Sequence, residues 1–460
     1  MHKGFFCCAV SRVCGIIKYI CKLLRRKDRA MRILIKNGHV LDPLTRLDDI
    51  SDVLIEDDRI VKVGKDIDSE ADRVIDAANC YVMPGFIDLH VHLRDPGLTY
   101  KETLTTGGKA ALNGGVTTIC AMPNTKPITD TGAMVEELHR RAKVESPVNI
   151  IQLGSVTVGQ KGEELADIEG MAKAGCHAIS EDGKSVMNAS LYRKGMKKAK
   201  ECGVSVFAHC EDITMVEGGV MNAGAKAKAL GVNGITNSVE DVIVARDILL
   251  AKETGVRLHL CHCSTEDSVT MIKLAKEEGL PVTGEVCPHH FILTEDDIEE
   301  NNGRFKMNPP LRSKADVEAL KLGLKNDIMD VISTDHAPHG VAEKDCPMEK
   351  AAFGIVGLET SACLTYTYLV DKGVLTPMQM AEKMSYNPAM ILGLEDKGSV
   401  SAGKIADLVV FDPNKEYAID VNKFYSMGKN TPFDGYKVKG EVIYTLVDGD
   451  IRKDKEKGIL

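Results

Sequence analysis

Two histidines separated by a single residue, His90 and His92, follow an apolar run and suggest metal chemistry. Because alternate residues of a β-strand project from the same face, both imidazoles would point to one place. Neutral imidazoles at a strand end are good ligands for a divalent ion such as zinc. An isolated pair is equally typical of a polar strand end, so the rest of the chain has to decide between these interpretations.

The elements that would position this pair lie in the middle of the chain, where short apolar runs alternate with amphipathic segments. The apolar runs are residues 86–91, 117–122, 149–153, 177–179, 204–208, 257–260, 281–286 and 330–332. The clearest amphipathic segments are 162–174, 239–253 and 266–278. Eight strands alternating with helices predict an α/β fold, a parallel (β/α)8 TIM-like barrel spanning residues 84–395.

Both ends of the chain have a different sequence pattern, in which short predicted strands are separated by turns. The predicted strands are residues 33–36, 53–56, 59–63, 73–76, 404–411 and 438–447. We therefore expect a small composite β-sandwich domain built from residues 31–83 and 396–460.

Residues 1–30 form a basic extension that contains eight Lys or Arg residues, a single acid, Asp28, and four cysteines. Basic residues interrupt its apolar positions, so no stretch is long enough to cross a bilayer. A basic amphipathic surface helix is one interpretation. We favour a disordered or artefactual extension, because Met31 opens a clean strand and resembles a natural start.

The overall composition excludes several functional classes. The net charge of the 460 residues is −9, which argues against a nucleic-acid footprint or a basic membrane patch. Fourteen cysteines occur without a Cys-x-x-Cys pair, and several lie in apolar runs, where a thiol behaves as a small hydrophobe. These features predict a reduced, cytoplasmic protein without nucleic-acid or membrane partners.

The C-terminal ends of the predicted strands, where barrel chemistry gathers, carry polar groups of one kind. In chain order these groups are His90, His92, Arg94, Asn124, Glu181, Asp182, His209, His262, His289, His290, Asp335, His336 and His339. Each histidine alone is more often structural than a ligand. The recurrence of polar groups that can bind a metal or a substrate at seven strand ends of one barrel predicts a metal site.

Several motifs along the chain resemble those of class I dihydroorotases in the amidohydrolase superfamily, over essentially all of residues 31–450. The matching motifs are residues 88–97, 122–125, 181–183, 208–211, 261–262, 308–312, 333–339, 353–360 and 403–410. No single motif is specific, but together they are.

The resemblance implies a centre with two zinc ions in each subunit. It assigns one ion to His90, His92 and Asp335, and the other to His209 and His262. The bridge implied between the ions is Asp182 together with a hydroxide, where many relatives use a carboxylated lysine. Family members often show Asp-Asp-Gly where this chain has Glu181-Asp182-Gly183, so Glu181 is the alternative bridging acid.

The resemblance also implies a reaction, the zinc-dependent reversible cyclisation of N-carbamoyl-L-aspartate to (S)-dihydroorotate plus water in pyrimidine (UMP) biosynthesis. Asp335 would be the catalytic residue that carries the proton between the attacking hydroxide and the leaving nitrogen. The implied substrate-binding residues are Arg94, Asn124, Asn308, His339, Phe353 and Gly354. For Arg94, the alternative is an ion pair with Asp95.

Two other functions stay open. The first is a related cyclic amidohydrolase, an allantoinase or dihydropyrimidinase, although such enzymes normally carry the lysine bridge. The second is a non-catalytic dihydroorotase-like partner of aspartate transcarbamoylase, although all six ligand positions are filled here. We further expect a homo-oligomer, and an association with aspartate transcarbamoylase alongside activity stays open.

Overall fold

The structure is a computed structural model that describes residues 31–460, so the predicted extension at residues 1–30 lies outside the described residues. The strands of the described range are β1 Arg32–Asp42, β2 Leu47–Glu56, β3 Arg59–Gly64, β4 Arg73–Asp76, β5 Tyr81–Pro84, β6 Phe86–Val91, β7 Val116–Ala121, β8 Asn149–Gln152, β9 Gly154–Ser155, β10 Ala178–Ser180, β11 Ser205–Ala208, β12 Met221–Asn222, β13 Gly234–Ile235, β14 Leu258–Leu260, β15 Val282–Val286, β16 Val331–Ile332, β17 Leu408–Ala418, β18 Lys437–Val447, β19 Asp450–Asp454 and β20 Gly458–Ile459.

Helices cover most connections between these strands. The α-helices of the described range are α1 Leu104–Asn113, α2 Gly132–Glu145, α3 Ile168–Lys173, α4 Ala189–Cys202, α5 Ala225–Leu230, α6 Ser238–Thr254, α7 Glu266–Glu277, α8 Pro288–Ile292, α9 Lys314–Lys325, α10 Val341–Lys344, α11 Ser361–Thr365, α12 Pro377–Ala381 and α13 Asn387–Leu392. Single π-helical turns, Tyr366–Val370 and Glu382–Tyr386, continue α11 and α12.

The central strands form the predicted parallel barrel. β6, β7 and β8 pair in one group, and β9, β10, β11, β14, β15 and β16 pair in a second group. β8 and β9 are the two halves of one barrel strand, since β8 pairs with β7 and β9 pairs with β10. A bridge between Val91 and His336 joins the first strand to the last and closes the barrel. The prediction of a (β/α)8 barrel is confirmed.

Successive side chains of β6 point alternately to the apolar core and to the barrel mouth. Ile87 and Leu89 are buried in an apolar cluster that includes Leu392 of α13. His90, one residue further, lies on the other face, and its Nε2 approaches Asp182 to 3.2 Å. The apolar positions therefore anchor the strand while the histidine is aimed at the barrel mouth.

Both chain ends contribute, as expected, to β-structure of their own. Within residues 31–460 this sheet has nine strands in the order β20-β19-β18-β17-β5-β1-β2-β3, with β4 paired to β1. β5 lies between the two ends, parallel to β1 and antiparallel to β17. The sheet encloses its own apolar cluster, to which Ile35, Ile55, Val82, Leu408 and Leu446 belong.

Two predicted elements are shorter in the structure. The strand expected at 404–411 begins at Leu408, because the backbone of Lys404 and Ala406 bonds instead with the β2–β3 turn region, at Ile60 and Asp58. The helix expected at 162–174 is confined to Ile168–Lys173. There, the carboxylate of Asp167 caps the helix start, and the preceding residues bond to the segment after β9.

Two further observations concern the expected setting of the protein. No helix in the range 31–460 combines the length and the apolar character needed to span a bilayer. The ten cysteines among the described residues are all unpaired thiols.

Candidate metal and substrate site

Four histidines surround the carboxylate of Asp182 at the C-terminal mouth of the barrel. Its Oδ1 lies 3.2 Å from His90 Nε2, 3.3 Å from His209 Nδ1 and 3.6 Å from His262 Nε2. Its Oδ2 lies 3.4 Å from His92 Nε2. Strands β6, β10, β11 and the turn after β14 thus bring residues far apart in sequence to one point.

Asp335, after β16, completes this cluster. Its Oδ1 lies 3.0 Å from His92 Nε2 and 3.6 Å from His90 Nε2. The ligand atoms of His90, His92 and Asp335 lie within 4.8 Å of one another, as do those of His90, Asp182 and His262. The structure therefore brings all six predicted metal ligands together, with His90 shared between two overlapping groups.

The residues present fit a bound cation. His90 Nε2, Asp182 Oδ1 and His262 Nδ1 are buried and form no hydrogen bond of acceptable geometry within the described range. Leaving buried polar atoms unsatisfied is costly, so such atoms need a partner. Imidazole nitrogens and carboxylate oxygens are the ligands that zinc takes in catalytic sites, and here they converge to within 4.8 Å of one another.

Both acids of the cluster are held in the ionised form that a cation requires. Burial raises the pKa of Asp182, but the neighbouring imidazoles of His90, His209 and His262 outweigh it and hold that pKa well below its ordinary value. For Asp335, burial is likewise outweighed by the His92 hydrogen bond and nearby imidazoles, which lower its pKa to about 2. Both carboxylates are therefore anionic at neutral pH.

Geometry distinguishes the two neighbouring acids Glu181 and Asp182. Glu181 accepts hydrogen bonds from the backbone N–H groups of Val156 and Thr157, each at 3.1 Å, and from the Thr157 hydroxyl. Its carboxylate is thereby turned away from the histidines. Asp182 alone of the pair faces them.

A carboxylate that the sequence analysis did not select, Glu285, supports the cluster from below. It accepts a hydrogen bond from His90 Nδ1 at 2.8 Å, one from His259 Nε2 at 3.1 Å and one from the His262 backbone N–H at 3.1 Å. A carboxylate in this position fixes the tautomer and the ring orientation of a ligating histidine. Its only sequence signal is a charged residue inside the buried strand β15.

Asn124 and Glu211 orient two other histidines. The Asn124 side-chain oxygen lies 2.9 Å from His92 Nδ1, so it accepts that proton and leaves Nε2 free to face the acids. Glu211 lies 3.2 Å from His209 Nε2, so it accepts the proton of that nitrogen and leaves His209 Nδ1 free to face Asp182. Glu211 in turn accepts a hydrogen bond from the Asn308 amide at 2.9 Å.

Three residues of the site adopt left-handed backbone conformations that side chains other than glycine rarely take. The φ angles are 59° at Arg94, 33° at His262 and 47° at Asp335. Backbone strain of this kind costs of order 1–3 kcal/mol per residue and clusters at functional sites. The fold holds these three side chains at an energetic cost, which is typical of positions selected for chemistry.

An open cavity of about 340 Å³ lies directly above the cluster. Its walls include every predicted substrate-binding residue: Arg94, Asn124, Asn308, His339, Phe353 and Gly354. His92, Asp182, His209, His262 and Asp335 also line it, whereas His90 lies fully buried beneath. The cavity therefore places a small molecule in contact with both groups of residues.

The Arg94 side chain faces this cavity and not its sequence neighbour. Asp95 instead forms a bidentate ion pair with Arg141, with both N–O distances at 2.9 Å. Arg94 Nε donates to the carbonyl of Pro338 at 3.3 Å, which leaves most of the guanidinium fork for a ligand. Burial lowers the pKa of Arg94, although nearby Asp335 and Asp182 favour its charged form.

Gly354 has to be glycine for steric reasons. Its φ is +121°, and a Cβ built there would lie 2.5 Å from the Cβ of Ala337. The close approach brings the backbone after Phe353 against the loop that follows β16. The Phe353 carbonyl accepts a hydrogen bond from His339 Nε2 at 2.7 Å.

The remaining buried histidines lie around the cluster but do not face Asp182. His259 bonds to Glu285, His290 Nε2 donates to the Pro309 carbonyl at 2.9 Å, and His336 Nε2 approaches Glu102 to 3.4 Å. Their ring nitrogens thus bond to groups other than the six candidate metal ligands.

Comparisons with known proteins agree with this geometry. Residues 80–268 match the family model described as Dihydro-orotase-like. A protein named Dihydroorotase from Acetivibrio thermocellus is 46% identical over 419 residues, which cover 91% of this chain and 98% of the relative. One of the same name from Ligilactobacillus salivarius is 48% identical over 422 residues, covering 91% and 98%.

Solved structures of related amidohydrolases share the fold. The L-hydantoinase (dihydropyrimidinase) from Arthrobacter aurescens superimposes with a TM-score of 0.83 at 29% sequence identity, covering 93% of this chain and 97% of that one. Dihydropyrimidinase from Brevibacillus agri NCHU1002 gives 0.82 at 25% identity, covering 93% and 96%.

Proposed function

Because this chain belongs to the dihydroorotase family, we propose that it interconverts N-carbamoyl-L-aspartate and (S)-dihydroorotate plus water in pyrimidine (UMP) biosynthesis. The observation that carries this proposal is that Arg94 and Asn308 line the same cavity as Asp182 and Asp335. A carboxylate anchor and a hydrolytic centre are thus within reach of one small molecule.

The metal-dependent chemistry of the family would be carried by the histidine–aspartate cluster. We propose two zinc ions, one held by His90, His92 and Asp335 and the other by His209 and His262. Asp182 would contact both, because its two oxygens face different histidines. When bound, such ions make water a nucleophile at neutral pH and polarise the amide carbonyl.

Asp335 would act as the proton carrier. Its pKa of about 2 makes it an anion at neutral pH, able to accept a proton from the attacking water. It lies on the cavity wall, within reach of a substrate nitrogen, so the same carboxyl can then donate the proton to the leaving ring nitrogen. In the cyclisation direction the proton travels the opposite way.

The unreacting carboxylate of the substrate would be bound by Arg94. A guanidinium offers two parallel N–H donors that match a carboxylate, and burial strengthens this pairing. Asn308, Asn124 and His339 line the same wall and would complete recognition, and the backbone of Phe353 and Gly354 would contact the ring edge.

The structural neighbours leave a specific alternative, a hydantoinase or dihydropyrimidinase activity. Those neighbours are 24–29% identical to this chain, whereas the dihydroorotases are 44–48% identical. Their similarity in fold therefore gives less support than the sequence match. A non-catalytic partner of aspartate transcarbamoylase is less well supported, because all six predicted ligand positions converge in the described structure.

A substrate comparison tests the proposal. Purified protein reconstituted with zinc is offered dihydroorotate, dihydrouracil and allantoin at neutral pH. We expect ring opening of dihydroorotate and little turnover of the other two. Turnover of only the latter two, or of none despite full metal content, would refute the assignment.

The proposed assembly and location need separate measurements. Size-exclusion chromatography with light scattering tests the predicted homo-oligomer. Addition of purified aspartate transcarbamoylase to the same experiment tests the predicted association. Cell fractionation tests the cytoplasmic location, which is predicted from the cysteine pattern alone.

A further inference from the structure

A lysine outside the predicted site, Lys101, contacts one of the substrate-binding candidates. It lies in the loop between β6 and α1, and its side chain is only 11% exposed. Its Nζ lies 3.2 Å from His339 Nδ1 and 2.8 Å from the Glu343 carboxylate. Lys101 therefore reaches behind His339, on the side away from the cavity cluster.

The contacts of His339 determine where its proton lies. A lysine ammonium has only donors, so His339 Nδ1 must accept the hydrogen bond from Lys101. A backbone carbonyl can only accept, so His339 Nε2, which lies 2.7 Å from the Phe353 oxygen, must carry the proton. The two contacts independently require the same neutral tautomer.

The neighbouring Arg94 fits this assignment. Its Nη2 lies 3.4 Å from His339 Nε2, much farther than the Phe353 carbonyl, which agrees with two donors that do not bond to each other. Burial, together with the charges of Arg94 and Lys101, holds the pKa of His339 far below its ordinary value. His339 is therefore a neutral imidazole whose single ring N–H is directed at the Phe353 carbonyl.

We propose that Lys101 is a positioning residue for substrate binding. By donating to His339 Nδ1 while the Phe353 carbonyl accepts from Nε2, it holds this ring in one orientation beside Arg94, on the wall that would receive the substrate's unreacting carboxylate. Without Lys101, only the hydrogen bond to the Phe353 carbonyl would orient the His339 ring, and the ring would shift more easily. This inference rests on the proposed function, because it presumes a carboxylate held between Arg94 and His339.

Glu343 connects this arrangement to the loop on the opposite wall. Its carboxylate pairs with Lys101, accepts the Gly340 backbone N–H at 2.9 Å and accepts the Tyr100 hydroxyl at 3.2 Å. The next residue, Lys344, donates to the carbonyls of residues 306, 352 and 354, each at 2.8 Å. Lys101 thus also secures the segment that carries the Phe353 backbone.

Kinetics of Lys101→Met provide the first test. We expect the KM for dihydroorotate to rise about 10- to 100-fold, the loss typical of a hydrogen bond to a charged group, while kcat changes far less. Lys101→Arg retains donors only and should keep most of the wild-type KM. The control Lys173→Met removes an exposed Lys–Glu pair at the surface and should change neither constant. A wild-type KM in Lys101→Met would overturn the proposal.

The tautomer provides a second test that needs no turnover. Nitrogen NMR of protein labelled with ¹⁵N-histidine reports which ring nitrogen is protonated, and His339→Gln identifies the signal. We expect a protonated Nε2 and an accepting Nδ1 in the wild type. In Lys101→Met we expect the Nδ1 signal to move away from its hydrogen-bonded position, because its donor is gone. An unchanged His339 signal in folded Lys101→Met contradicts the inference. An absence of dihydroorotate turnover by the wild type refutes the proposed function instead.

Discussion

At the scale of single residues, the site depends on side chains whose protonation is set by their neighbours. Asp335 illustrates this best, because burial alone would favour its neutral form, yet its contact with His92 keeps it anionic. In the proposed function, the same carboxyl would hold a cation and carry a proton. A substitution that removes its charge should therefore affect chemistry more than folding.

We expect Asp335→Asn to lower kcat by about 10²- to 10⁴-fold, the usual contribution of a positioned acid–base group, and Asp335→Ala by at least as much. Asparagine keeps the shape of aspartate but cannot accept the proton. Steady-state kinetics measure the loss, and circular dichroism should show an unchanged fold. Substantial turnover by either variant would argue against the proton role.

Arg94→Lys should act on binding. A lysine ammonium is a point charge that cannot pair with a carboxylate through two parallel N–H groups. We expect the KM for dihydroorotate to rise at least about tenfold with a smaller change in kcat, since a charged hydrogen bond contributes about 1.5–3 kcal/mol. Arg140→Lys, on the surface of α2, is a matched control that should behave like the wild type.

The convergence of the candidate ligands could be predicted from the sequence where these residues lie at or just after the C-terminal ends of strands. His90, His209 and Asp335 do so, and the barrel brings strand ends together whatever the intervening sequence. Lys101 and Glu285 could not be predicted, because their partners His339 and His90 lie about two hundred residues away and no local pattern marks them. Supporting contacts depend on the final packing, which periodicity does not contain.

At the scale of elements, two loops that form the cavity wall are held by buried polar side chains. The Asn430 side-chain amide donates to the carbonyls of Ala337 and Gly354, at 3.0 and 3.1 Å. Its oxygen accepts a hydrogen bond from the backbone N–H of His339 at 3.1 Å. Lys344 binds the same region from the other side. The loops after β16 and α10 are therefore joined to each other and not only to the barrel.

Lys344→Met should loosen this wall. The substitution keeps the length of the side chain but removes the ammonium group that donates to the carbonyls of residues 306, 352 and 354. We expect KM to rise and the segment 340–354 to exchange amide hydrogens faster, with the barrel helices unchanged. Hydrogen exchange read by mass spectrometry measures this. Equal exchange in both proteins would show that Lys344 is dispensable for the loop.

The strands of the barrel were predictable because each is a short apolar run with clear boundaries, such as β7 and β11. The boundary near the end of the chain was harder to predict. Residues 404–407 run directly into the apolar residues of β17, but the backbone of Lys404 and Ala406 bonds with the β2–β3 turn region. Likewise, the start of α3 depends on Asp167, whose capping role is visible only once the preceding residues are paired elsewhere. Long-range backbone pairing decides these boundaries.

Asp42, at the end of β1, joins the two chain ends. It is buried and accepts hydrogen bonds from the Ser401 hydroxyl at 2.6 Å, the Thr45 hydroxyl at 2.7 Å and the Val400 N–H at 3.2 Å. Burial raises its pKa, but these bonds outweigh it and lower the pKa below 3.8. An ionised Asp42 thus stabilises the folded state.

Asp42→Asn should lower the free energy of unfolding by about 1–3 kcal/mol, the cost of leaving buried donors without their acceptor. Since the folded-state pKa is depressed, this contribution is complete above pH 3.8 and is lost as pH falls through the lower folded value. Urea unfolding at several pH values measures it. A difference between the proteins that grows on acidification would contradict the assignment.

At the scale of the whole molecule, the buried cluster links metal content to stability as well as to activity. Removal of metal leaves unsatisfied polar atoms at His90, Asp182 and His262. We expect chelation to abolish turnover and to lower the melting temperature. The free energy of unfolding of the metal-free protein should be about 4 kcal/mol lower than that of protein held at a metal concentration a thousand times Kd. Two equivalents of zinc should restore both the turnover and the melting temperature. Metal analysis, activity assays and calorimetry measure this.

The sheet built from both chain ends has a consequence for biosynthesis. β5 and its neighbour β1 are synthesised close together, but the other neighbour of β5, β17, is made only after the entire barrel. At about 5–20 residues per second, a nascent chain keeps that apolar strand edge open for on the order of tens of seconds. The first strands leaving the ribosome are thus exposed to unwanted pairing throughout translation, and a chaperone is most needed there.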